Sequence, residues 1–181
     1  MIRTAYGEKD LTFEQAKDRL NKIYNNRTDD FVKLCAQAYP DFTPQDLISI
    51  DTVFRPFTIR TADAWAAQSG APVYSYFLSW KSPVDSSSRG SFHGLDVPLV
   101  FNNVDLRSDW TGTTKESYDI ADKMSSAWLN FARTGNPNVA DKLPAWEPYA
   151  VSNGSTMIFD RECLIRHHHD RELMKFIKPL Q

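Results

Sequence analysis

The chain has 181 residues, 41% of them hydrophobic and 24% charged, with a net charge of −2. That length and balance fit one domain with a useful core, and they exclude the strongly basic face of a nucleic-acid binder or of a protein held on anionic membrane. No apolar run of about 18 residues occurs, so no membrane-spanning helix is expected.

Residues 1–10 are polar and without periodicity. Thr12-Phe13-Glu14-Gln15 then reads as a capping box, followed by Phe13, Ala16, Leu20 and Ile23 on one helical face. Asn25 and Asn26 end that helix. Asp29 or Asp30 opens a second one, with Phe31, Leu34, Cys35 and Ala38 inward, and Tyr39-Pro40 stops it. Thr43-Pro44 starts a short helix through Leu47 and Ile48. A further helix follows Arg55-Pro56 and runs to about Ser69, with Gly70 as its C-terminal cap.

Pro72 to Trp80 is the best strand, aromatic and β-branched with few polar breaks, as expected for a strand covered on both faces. A polar, Ser-rich loop, Ser82 to Gly90, is read as flexible and leads to Ser91-Phe92-His93-Gly94-Leu95-Asp96. Thr113 to Glu116 reads as a second capping box. Its helix carries Ile120, Met124, Ala127, Trp128 and Phe131 at core spacing and ends at Gly135. Pro144 to Tyr149 is a rigid aromatic loop. Ser155–Phe159 and Cys163–Ile165 form a hairpin, and a terminal helix covers 170–177 with Leu173, Phe176 and Ile177 inward. Cys35 and Cys163 are too few for a disulfide framework and read as buried thiols.

His93 is the residue with chemistry to offer. An imidazole titrates near neutrality, so on a glycine-containing loop it can take a proton and return it. Asp96 is either an orienting carboxylate behind His93 or a cap for the turn after Gly94. Ser91 is close by, but without an elbow or oxyanion donors it reads as a small packing residue. Phe92 and Trp80 are candidates to line a pocket. His167-His168-His169 reads as a solvated helix start, because consecutive helical positions lie about 100° apart and cannot converge on one ion. No cofactor motif and no metal site is read.

Phe92-His93-Gly94-Leu95-Asp96-Val97-Pro98-Leu99-Val100-Phe101 resembles the His-Gly-x-Asp/Glu-Ile/Val-Pro-x-Val-Phe motif of type-B carboxylesterases, members of the α/β-hydrolase family. Three more stretches resemble that family in the same order: Gly70 to Phe77, Ala127 to Asn138, and Trp146 to Tyr149. The resemblance runs from about Asp29 to Gln181, and residues 1–28 carry no motif that can be placed.

The resemblance implies a Ser-His-Glu/Asp triad with His93 as general acid/base. It also implies the C-terminal portion of an α/β-hydrolase catalytic domain over 1–181. That portion would be helix-rich, with one central strand (about Val73–Leu78) and a short edge hairpin (about Thr156–Ile165). No Gly-x-Ser-x-Gly elbow, no Asp-Glu-Gly motif for the triad acid and no glycine-rich oxyanion loop occurs in these residues. The expectation is therefore the C-terminal part of a serine carboxylic-ester hydrolase, inactive alone. It would act on a small ester once joined by the N-terminal part of the domain, and would self-associate otherwise. The alternative is a non-catalytic, esterase-like module for protein adhesion. The substrate and the compartment do not follow from the sequence.

Overall fold

The computed structural model describes residues 2–3, 11–68 and 70–177. A short strand, β1 (Ile2–Arg3), precedes α1 (Phe13–Tyr24). The Thr12 cap forms as read: Gln15 donates its N–H to the threonine hydroxyl and accepts the Thr12 N–H on its side chain. Ala16 and Leu20 are buried, while Phe13 and Ile23 of the same stripe stay exposed. The next helix, α2 (Thr28–Ala38), starts one residue before the expected aspartates. Thr43 caps α3 (Pro44–Ile48), with Asp46 closing the box in return.

Asp51 starts α4 (Phe54–Ala66): its carboxylate accepts the N–H groups of Val53, Phe54 and Arg55. The helix ends at Ala66, short of the expected position. Ser69 lies outside the described residues.

Three strands form the sheet: β2 (Ser75–Leu78), then β4 (Ser155–Phe159) and β5 (Leu164–His167), in spatial order β2-β4-β5. Between β2 and β4 in the chain come β3 (Ser91–Phe92), α5 (Asp96–Val100), α6 (Ser108–Thr111) and α7 (Lys115–Thr134). The chain ends in α8 (Arg171–Phe176). β2 and β4 run parallel, with Ser75 opposite Thr156 and Leu78 opposite Phe159. β4 and β5 form the expected hairpin. Its first strand takes the middle place and is buried throughout, as its unbroken Ser-Thr-Met-Ile-Phe run suits. Arg166 and His167 leave β5 at the outer edge. Separately, β1 pairs in parallel with β3.

Two hydrophobic cores result. One joins the sheet to α5 and α7 through Leu78, Trp80, Leu99, Met124, Trp146 and Phe159. The other joins α1, α2, α3 and α8 through Leu20, Phe31, Leu47 and Leu173.

Two sequence expectations need correction here. Trp128 and Phe131 are not core residues: they are 47% and 42% exposed. They continue the apolar stripe of α7 into its last turns, where their ring neighbours are Tyr76 of β2 and Tyr74 just before it. The Ser-rich loop is not loose either. Ser82 is fully buried, donates its hydroxyl to the Trp110 carbonyl (2.6 Å) and its N–H to the Gly90 carbonyl (3.1 Å). Asp85, Ser86 and Ser87 between them adopt left-handed angles, which short polar residues tolerate.

Candidate active site around His93

His93 stands at the apex of a turn whose two shoulders are buried. On one side, Ser91 is 2% exposed and donates its hydroxyl to the Leu78 carbonyl (2.8 Å), tying β3 to the end of β2. On the other, Leu95 is fully buried, and its N–H returns to the Phe92 carbonyl (3.1 Å). Gly94 makes the turn possible: its φ of +86° is one that a residue with a Cβ rarely adopts. The exposed histidine is thus fixed by backbone geometry. Among the described residues its ring makes no hydrogen bond or ion pair, so both nitrogens are available.

One face of the imidazole is covered. The Phe54 ring stacks on it at 4.4 Å between centroids and 6° between planes. Offset stacking of this kind contributes about 0.5–1.5 kcal/mol. Phe54 reaches that place because Asp51 caps α4 and because the next residue, Arg55, is pinned. The Arg55 guanidinium makes a buried, bidentate pair with Asp170 (2.6 and 3.0 Å), and the Tyr39 hydroxyl donates to the same carboxylate (3.1 Å). Burial alone would raise the Asp170 carboxyl, but the Arg55 charge and hydrogen bonds, with His169 and the Tyr39 hydroxyl, together outweigh it and hold it below the usual range.

Asp96 is the first residue of α5, and its carboxylate accepts the Tyr76 hydroxyl (2.9 Å). Burial, and then this carboxylate, push the Tyr76 phenol well above its ordinary range, so it remains a neutral donor. The pair ties the start of α5, and with it the His93 turn, to the face of β2. Phe92 is half-buried, edge-on to Trp110 at 5.3 Å, and lines the cavity beside His93. Trp80 does not line this cavity. It is 1% exposed in the core, its indole N–H without a partner among the described residues.

That cavity, about 460 Å³, is lined by β2 and the two residues before it (73–78), by Phe54, Phe57 and Trp65 of α4, and by His93 and Gly94. Phe54 and Tyr76 are the site neighbours that sequence reasoning did not find. Tyr76 belongs to a readable strand alternation, but nothing in the spacing of Phe54 marks its meeting with His93.

The histidine run is not a solvated helix start. His167 ends β5 with its ring against Glu147, His168 turns the chain at a φ of +50°, and the His169 side chain is 8% exposed. Burial pushes the His169 imidazole down to about 4. Among the described residues no cluster of three or more His, Cys, Asp or Glu is placed to hold a metal. Cys35 is buried, which pushes its thiol up to about 12, while Cys163 is only partly buried and is raised for the same reason.

The fold that carries this histidine turn is that of esterases with the α/β-hydrolase fold. An esterase from anaerobic Clostridium hathewayi, described as able to hydrolyse aliphatic aromatic polyesters, matches 98% of this chain with a TM-score of 0.82 and 28% identity, over 34% of its own length. A Geobacillus stearothermophilus carboxylesterase matches 91% with a TM-score of 0.61 and 27% identity, over 35% of its length. The sequence model of the carboxylesterase family matches residues 2–177, and the chain belongs to that family. The para-nitrobenzyl esterase of Bacillus subtilis (strain 168) is 34% identical over 152 residues, covering 81% of this chain and 30% of the relative. The chain therefore spans about a third of the length of the relatives it matches.

Proposed function

We propose that this chain supplies His93 as the general acid/base of a Ser-His-Asp/Glu triad in a carboxylic-ester hydrolase, and that the serine and the carboxylate come from polypeptide outside these residues. The observation that carries this reading is an imidazole without a hydrogen-bond partner among the described residues, lining a cavity and held on a hydrogen-bonded turn, in a chain of the carboxylesterase family. One ring nitrogen takes the serine proton as the hydroxyl attacks the ester carbonyl. It returns that proton to the leaving alcohol, and the cycle repeats with water to release the acid. The other nitrogen receives the triad carboxylate, which sets tautomer and orientation. Asp96 acts through Tyr76 on the placement of the turn. On this reading the chain alone turns over no ester. Its partner is the N-terminal part of the same domain, and self-association is the fate of the chain without it.

The test is a p-nitrophenyl ester assay on a longer esterase that contains this segment, with and without His93→Ala. The expected loss is roughly 10⁴-fold or more in kcat, as for other triad members. A loss under about tenfold would place the proton transfer elsewhere.

A further inference from the structure

We infer that Trp110 is a positioning residue for His93: its indole braces the residues on either side of the histidine and so sets the direction in which the imidazole points. This rests on the proposed role of His93 as general acid/base and adds a residue that acts through it.

The indole meets the Phe92 ring edge to face, 5.3 Å between centroids and 81° between planes. Its six-membered ring also covers Gly94: a Cβ built on that glycine would stand 3.6 Å from Trp110 Cζ3 and 3.9 Å from Cη2. Phe92 and Gly94 flank His93, so one side chain lies against both ends of the segment that carries the imidazole. Trp110 does not line the cavity beside His93. It is half-buried at the margin of the sheet core rather than inside it. Its place therefore bears on the histidine turn more than on the core or on substrate.

The brace is itself held firmly. The Arg107 guanidinium lies over the indole, 3.7 Å from its centroid, and is fixed there by two hydrogen bonds to the Asp109 carboxylate (3.1 and 3.3 Å). The backbone of α6 is tied to the segment that leads to His93. The Trp110 carbonyl accepts the hydroxyl of buried Ser82 (2.6 Å), and the Asp109 carbonyl accepts Arg89 (2.7 Å), whose guanidinium stands 4.5 Å over the Phe92 ring. Gly112 closes the junction: a Cβ there would come within 2.8 Å of the Pro83 ring. Residues 82–92 and α6 thus move as one unit, and the indole is the part of it that reaches the histidine turn. Phe54 faces the imidazole, while Trp110 sets the turn from which the imidazole projects. A displacement of about 1 Å in a catalytic group can cost on the order of 10²-fold in rate, so a brace of this kind matters to proton transfer well before it matters to folding.

The test reads the His93 ring in the isotopically labelled chain by NMR. The stacked Phe54 ring moves the His93 ring protons upfield of an ordinary histidine, so their positions report where the imidazole points. Trp110→Leu keeps apolar volume but no flat ring. It is expected to remove about half or more of that upfield shift while the circular dichroism stays that of the wild type, and Trp110→Phe should restore most of it. Ring shifts unchanged in Trp110→Leu, or not restored by Trp110→Phe, overturn the inference. So does loss of the fold in Trp110→Leu, because the residue is then a support of the core. In a longer esterase that contains this segment, Trp110→Leu should lower kcat by about 10²-fold with KM within about twofold, and should lower it no further in a His93→Ala background. An equal further loss in that background overturns the inference, since Trp110 would not then act through His93. If His93→Ala alone leaves kcat intact, the acid/base reading fails, and the ring shifts in the chain still decide whether Trp110 braces the turn.

Discussion

His93 owes its position to its neighbours in the chain more than to any side-chain partner. Gly94 carries the positive φ, and Ser91 holds the preceding strand. Ser91→Ala is expected to cost about 1–3 kcal/mol, since it leaves the buried Leu78 carbonyl unpaired, and urea unfolding measures it. The Ser-Phe-His-Gly-Leu-Asp stretch was legible because all of its constraints are local. Phe54 was not, because the stack on His93 joins residues far apart in sequence and depends on where α4 lies. His169 was misread for the same reason: three consecutive histidines look solvated until the chain turns at His168 and buries the third. Its buried ring stays neutral in the fold, with a pKa of about 4, against an ordinary value near 6.5. A depressed histidine pKa means that protons favour the unfolded chain. Stability from this residue is whole above about pH 6.5 and is lost as pH falls toward 4. Unfolding free energies from urea titrations at pH 7 and pH 5 should differ by on the order of 1–2 kcal/mol on this account, and His169→Asn should shrink that difference.

Among the elements, α4 does the most to organise the site, and its place is fixed at both ends. Asp51 caps its start, Arg55 is paired with Asp170 at the head of α8, and Asp63 further along accepts Tyr149 and Arg171. Arg55→Met leaves the Asp170 carboxylate buried without its cation and is expected to cost about 3–5 kcal/mol. The double variant Arg55→Met, Asp170→Leu should recover much of that loss, a comparison that thermal or urea unfolding resolves. The caps at Thr12, Thr43 and Gly135 were all readable, because capping chemistry is contained within a few residues. Helices α5 and α6 were not, since five and four residues give no periodicity to read. The stripe on α7 is core at Ile120, Met124 and Ala127, as read, and exposed at Trp128 and Phe131. Periodicity shows that a face is apolar, but not what covers it.

At the scale of the molecule, the family and the order of its motifs were visible in the sequence, and the sheet bears the resemblance out in its parallel β2 and β4. What sequence could not show is that the cavity holding His93 is continuous with the open edge of β2. His93 and one side of β2 thus line one cavity together with Phe54, Phe57 and Trp65. Phe57→Glu together with Trp65→Glu is expected to reduce concentration-dependent self-association of the isolated chain, as read by sedimentation velocity, because charge on an open strand edge opposes edge-to-edge pairing.

The most direct measurement is p-nitrophenyl ester hydrolysis by the isolated chain, wild type beside His93→Ala. If His93 is one member of a triad completed from outside, both proteins should give the buffer rate. Turnover by the wild type that disappears in His93→Ala would contradict the account, because it would require a nucleophile within these residues.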